Sequence, residues 1–205
     1  MQAILRAIDA FLERPLSAAS RGVVLLGMAA LIGGGLLPLW RIQLVAPQYE
    51  EGLTLVMYSH AIAAGHGGQD LNEINTLNHY IGMKPIVQSD FAEMTWMPFA
   101  IGIFALLALR AAAVGRIRHL VDLGVLFLYF GLFSLATFAY RLWSYGHHLD
   151  PHAPMRIAPF TPILIGQQQI ANFVQSSLPM AGTACMGAFL MTVVAAIWLS
   201  RPEVS

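Results

Sequence analysis

Residues 22–40 read "GVVLLGMAALIGGGLLPLW", nineteen positions without an ionisable side chain. A helix of about 20 mostly apolar residues is what a hydrocarbon core of ~30 Å requires of a single crossing. Three further stretches answer to the same description: "MPFAIGIFALLALRAAAV" (97–114), "LVDLGVLFLYFGLFSLATFAY" (120–140) and "PMAGTACMGAFLMTVVAAIWL" (179–199). Arg110 lies close enough to the end of the second for its long side chain to reach the interface. Asp122 sits only in the first turn of the third. Lipid offers no hydrogen bonds, so each crossing must satisfy its own backbone, which a helix does. The fold class expected is therefore an all-α integral membrane protein with four transmembrane helices.

Composition agrees. Of the 205 residues, 57% are hydrophobic and 11% charged, with a mean hydropathy of +0.64. Soluble domains carry about 25% charged residues, so lipid must cover much of this surface. Zero net charge and a pI near 7.1 exclude nucleic acid as a partner. The single cysteine, Cys185, can form no internal disulfide, and no CxxC motif offers zinc or redox chemistry.

Outside the spans, residues 1–21 hold Ile4, Leu5, Ile8, Phe11 and Leu12 at helical spacing, with Arg6, Asp9, Glu13 and Arg14 between them. That pattern predicts a short amphipathic helix lying at the interface and ended by Pro15. Seven of the eleven basic residues fall in the segments 1–21, 115–119 and 200–205 or at Arg110; the loops 41–96 and 141–178 share only Arg41, Lys84, Arg141 and Arg156. Basic residues concentrate in cytoplasmic segments. Both termini are therefore expected in the cytoplasm of a bacterial inner-membrane protein, with both long loops forming a periplasmic cap.

The cap carries the polar chemistry. "LTLVMYSH" (53–60) alternates and is rich in β-formers, predicting a strand. "DLNEINTLNHYIGM" (70–83) spaces Leu71, Ile74, Leu77 and Ile81 as a helix over 70–80. Asp70 and Glu73 stand as its capping box, and Gly82 as its stop. The second loop is expected to run extended through its prolines and turn helical near Gln167–Val174.

Six of seven histidines (His60, His66, His79, His147, His148, His152) lie in the two loops, accompanied by Met57, Met83, Met94 and Met155. Imidazole and thioether are copper ligands, thioether particularly for Cu(I). His60, His66, His79, Met83, His147 and Asp150 are accordingly the candidate metal ligands. The competing reading makes "GHGG" a turn and "HHLDPH" a solvated loop bent at Asp150–Pro151. Asp122 is expected to pair with Arg116 or Arg118, and Gly33–Gly35 to permit close helix packing. No Walker motif, nucleophile elbow or haem-ligating histidine pair is present in the sequence, so no enzymatic activity is indicated. A quinol-oxidising subunit would want a haem or iron–sulfur ligand set that the sequence lacks.

"APQYEEGL" (46–53), "DLNEINTLNHYIGMKPI" (70–86), "YGHHLDPHAPM" (145–155) and "PILIGQQQIANF" (162–173) resemble an uncharacterised family of small bacterial membrane proteins encoded beside nitrous-oxide reductase and its copper-delivery lipoprotein. The resemblance covers most of both loops and implies a setting: a periplasm-facing accessory protein in maturation of that copper enzyme, or in its electron supply. The positions that match are Asn78, His79, Tyr80, Gly82, Met83, Lys84 and Pro85, then Tyr145, Gly146, His147, Leu149, Asp150, Pro151, Ala153 and Pro154. His148 and His152 stand where the family pattern has Asn. The resemblance thereby moves the copper expectation towards His79 and Met83 paired with His147 and Asp150. A periplasmic copper enzyme or copper chaperone is the implied partner, and a non-metal scaffold or docking subunit is the alternative.

Overall fold

Four helices long and apolar enough to cross a membrane stand together in the computed structural model of the chain, which describes residues 1–170 and 173–200. They are α2 (Ala18–Leu36), α4 (Glu93–Val114), α5 (Ile117–His147) and α6 (Ala181–Leu199), preceded by the amphipathic α1 (Gln2–Leu12). This arrangement is consistent with a multi-pass membrane protein in contact with lipid. The expected tail lies beyond Ser200, outside the described residues.

The all-α expectation is overturned. Both loops contribute strands to one five-stranded antiparallel sheet, so the chain is mixed α/β. The strands are β1 (Trp40–Ala46), β2 (Tyr49–Met57), β3 (Ile62–Ala64), β4 (Gly166–Ile170) and β5 (Phe173–Pro179), arranged β3-β2-β1-β5-β4. The helix expected near Gln167–Val174 is instead most of β4 and the start of β5. Gln167, Gln168 and Gln169 pair with Ser176, Gln175 and Val174. Gln is a fair helix former, but a segment that closes a sheet edge follows its cross-strand partners rather than its propensity.

Trp40 begins β1 rather than ending α2. Trp40, Ile42 and Leu44 sit opposite Met57, Leu55 and Leu53. These side chains share one face, with the period-two alternation of a half-buried strand. On that face lies α3 (Gln69–Tyr80), which buries Ile74 and packs Leu71 and Leu77 against the sheet. Asp70 does not cap this helix; Gly68 occupies the N-cap position.

The two strands at the sheet centre are direct continuations of α2 and α6. Leu39 N–H donates to Met57 O (2.8 Å), Met180 N–H to Leu39 O (2.9 Å) and Gly182 N–H to Pro38 O (2.8 Å). The same two helices pack along each other more extensively than any other pair. A Cβ on Gly182 would stand 2.7 Å from Gly34 O and 2.8 Å from Leu37 O, and one on Gly34 would stand 2.6 Å from Cys185 Cβ. Gly33, by contrast, faces open space.

At the opposite end of the bundle the N-terminal segment meets the α4–α5 turn, where Leu16 N–H donates to Gly115 O (2.8 Å) and Ile117 N–H to Arg14 O (3.1 Å). Both cap segments thus lie at one end of the bundle and the N-terminal segment at the other. Arg116 and Arg118 both pair with Glu13 and not, as the sequence had suggested, with Asp122. α1 leaves Ile4, Leu5 and Ile8 exposed, as a helix resting on an interface would.

Gly182→Ala must push two backbones apart, and overpacking of this kind costs about 1–3 kcal/mol. Its thermal unfolding in detergent is expected at clearly lower temperature than wild type. Gly33→Ala should unfold within about 0.5 kcal/mol of wild type.

Candidate functional site

α5 is 31 residues long, and at about 1.5 Å per residue it exceeds a ~30 Å hydrocarbon core by several turns. Its last three turns therefore rise alongside the sheet, carrying Phe138, Arg141, Leu142 and Tyr145 under it. Between this helix end, α3 and the inner face of β1, β2 and β5 lies an apolar cavity of about 110 Å³. A second cavity, of about 390 Å³, lies below it between α4, α5 and α6. Met57, Phe91, Phe138 and Arg141 line both and form the waist between them. Leu128, Leu132 and Leu135 line the lower cavity yet are 40–55% exposed. The lower cavity therefore opens sideways, at the depth of the predicted third span.

The waist is charged but neutral overall. Arg141 Nη2 donates to both carboxylate oxygens of Glu93 at 2.7 Å, and Nη1 donates to Asp90 O at 2.8 Å. Its guanidinium lies 4.6 Å over the Phe91 ring. The bonds from both terminal nitrogens, to Glu93 and to Asp90 O, together hold the guanidinium in one orientation. Above the waist three polar atoms are buried with no hydrogen-bond partner among the described residues: Asn78 Nδ2, Gln175 Oε1 and Tyr145 OH. Asn78 is only 6% exposed and Gln175 3%, and all three residues line the upper cavity. Burial pushes the Tyr145 hydroxyl above its ordinary pKa, with the nearby Asp90 carboxylate adding to it.

The stretch "NHYIGM" (78–83) divides accordingly. Asn78 and Met83 line the cavity, whereas His79 and Tyr80 face outward. Gly82 takes φ +78° where Asp150 N and O approach a notional Cβ to 2.9 Å. That close approach leaves room only for glycine. Asp150 N–H donates to Gly82 O (2.8 Å) and Met155 N–H to Tyr80 O (2.9 Å), so the two matched motifs are joined by their backbones.

The candidate ligands are distributed along this seam and beyond it. His79 lies near Asp150, whose carboxyl is held below the usual range, chiefly by the backbone N–H of His152, to which Asp150 Oδ1 is bonded at 2.8 Å. His147 Nδ1 donates to Trp143 O (2.9 Å) and its ring stacks on Trp143 at 4.7 Å. His148 likewise donates to Ser144 O at 3.0 Å. Both rings thus bond back onto carbonyls one turn earlier in α5, adding a side-chain bond at the helix end. His60 lies within 3.3 Å of the Ser59 hydroxyl, which itself donates to Gly35 O.

His66 holds Asp70 Oδ1 at 2.6 Å and reaches Glu51 at 3.4 Å. Asp70 is itself buried and accepts the Thr54 N–H at 2.7 Å, which ties α3 to β2. Among the described residues no three His, Cys, Asp or Glu side chains gather to hold a metal ion. His79, His147 and Asp150 are thus not gathered into one such group.

Arg141, Glu93 and Gln175 are site residues that the sequence reading passed over. Gln175 left no hydropathy signal: "VQSS" does not alternate, and the buried positions on that strand are the polar ones, Gln175 and Ser177. No protein-family model matches the chain, and no curated protein or solved structure was found similar to it.

Asp70→Ala should strand the Thr54 N–H and lower stability by about 1–3 kcal/mol. The bond from His66 to Asp70, first, and the charges of Asp70 and Glu51 raise the His66 pKa above the ordinary histidine value. A raised pKa means that the pairing stabilises the fold at pH below the unfolded-state value and fades as pH climbs through the raised one. NMR titration of the His66 ring should give a midpoint above that of an exposed histidine, and Asp70→Asn should bring it down.

Proposed function

We propose that this chain is a non-catalytic accessory protein of the bacterial inner membrane, whose sheet-bearing cap is a docking scaffold on the periplasmic side. The skew of basic residues towards the segments opposite the cap supports that orientation. The observation that carries the scaffold reading is the employment of the cap's histidines. His66 secures α3 to the sheet through Asp70, His147 and His148 close the end of α5, and the segment after them is zipped to Gly82. These side chains build a rigid outward platform on which exposed Tyr80 and Met155 stand together, their segments joined by the bond from Met155 N–H to Tyr80 O. The resemblance of the two zipped motifs supplies a candidate partner, a periplasmic copper enzyme or its copper chaperone.

A second reading, direct copper hand-over, draws on one observation: the same seam brings His79 beside Asp150 with Met155 following.

The two readings separate by metal counting. Detergent-purified protein is loaded with Cu(I), and bound copper is compared between wild type and His79→Ala/Met83→Ala. The scaffold reading expects equal, near-background copper in both. It also expects partner capture from native membranes to drop at least several-fold on Tyr80→Ala/Met155→Ala. Stoichiometric copper in wild type, lost in the His79/Met83 variant, would favour hand-over and overturn the scaffold reading.

A further inference from the structure

We propose that the double cavity is a binding site for a neutral membrane amphiphile with a ring-sized head bearing carbonyl or hydroxyl oxygens and a long apolar tail, the chemistry of a prenylated quinone. The inference is independent of the docking reading and rests on the cavity alone.

The first support is the orphaned polar atoms. Burying a polar group without a partner costs about 1–3 kcal/mol in proteins, and native structures hold few such groups. Here Asn78 Nδ2, Gln175 Oε1 and Tyr145 OH all lack a partner among the described residues around one small apolar space. Asn78 contributes a donor and Gln175 an acceptor, while the Tyr145 hydroxyl can act as either. A head that both accepts and donates, or that changes between carbonyl and hydroxyl, complements that set.

Charge restricts the head further. Arg141 is the one cation among the described residues lining either cavity, and Glu93 already neutralises it through two 2.7 Å bonds. A phosphate or carboxylate head would find no uncompensated positive charge and would be driven against Glu93. A neutral head meets no such penalty.

Size and access complete the argument. An apolar cavity of about 150 Å³ accepts benzene, and the upper cavity, about 110 Å³, is of that order. Phe138 at the waist offers an aromatic wall to a planar head. The lower cavity, about 390 Å³, takes the beginning of a tail, and its sideways mouth past Leu132 lets the remainder stay in lipid. The ligand would enter from the bilayer without passing through water.

The full chain in phosphatidylcholine nanodiscs is titrated with decylubiquinone, palmitate and phosphatidylglycerol, followed by tryptophan fluorescence and by melting temperature. Decylubiquinone is expected to saturate at one per chain and to raise the melting temperature, and the two anionic amphiphiles to do neither. Asn78→Leu and Gln175→Leu should each weaken the quinone at least tenfold. Their ligand-free melting temperatures should equal or exceed wild type, because an apolar replacement removes an unsatisfied group. Absence of saturable quinone binding, equal binding of palmitate or phosphatidylglycerol, or wild-type affinity in both variants would each overturn the proposal. The three-probe comparison on wild type decides the ligand class even where a variant fails to fold.

Discussion

Everything in this molecule hangs on how two membrane-type helices hand their chains to a sheet. Where α2 and α6 end, their unsatisfied backbone groups arrive at the bundle's rim. There Leu39, Met180 and Gly182 exchange hydrogen bonds across the pair. The helices approach closely enough for this only because Gly34 and Gly182 present no side chains to each other. β1 and β5 then leave the rim already adjacent and already antiparallel, with Trp40 opposite Pro179. The sheet centre is thus set by helix packing, and β2, β3 and β4 add to its two sides.

From that junction follows the cavity. A sheet rooted on α2 and α6 leans over the remaining two helices, and α5 is long enough to meet it. The aromatic edge contact of Trp40 with Phe138, ring centroids 5.3 Å apart, marks where helix and sheet touch. α3 closes the other side, held by the Tyr49 hydroxyl on Glu73 and by Asp70 on Thr54. Close packing would ordinarily fill the space between three such elements. Here the walls instead carry Asn78, Gln175 and Tyr145, whose polar atoms prevent an apolar seal.

Legibility in the sequence varied by element. The span at 22–40 was visible as an uncharged run, yet α2 occupies Ala18–Leu36 and Trp40 starts a strand. The alternation of "WRIQLVA" begins there, hidden by its continuity with an apolar helix. Likewise the span 120–140 becomes a helix reaching His147, because nothing in local composition tells a crossing from its extension above the bilayer. The helix over 70–80 was readable from its spacing, and α3 covers Gln69–Tyr80. Its presumed cap Asp70 was not, since that carboxylate serves a strand sixteen residues earlier. The histidines were conspicuous by position, but their partners are backbone carbonyls and carboxylates that only folding brings near. Asn78 and Tyr145 belonged to the motifs that carried the family resemblance, although nothing in the linear pattern gave them a shared cavity.

Hydropathy determined the number of apolar helices and the residues at their cores, because lipid imposes its requirement one segment at a time and a single run of side chains can meet it. The skew of charge and histidine between loops was equally local. The sheet, the seam joining positions 80–83 to 150–155 and the cavity were decided only in three dimensions. Strand partners lie more than a hundred residues apart, as Trp40 and Pro179 do, and a hydrogen bond between such groups leaves no mark on either stretch alone.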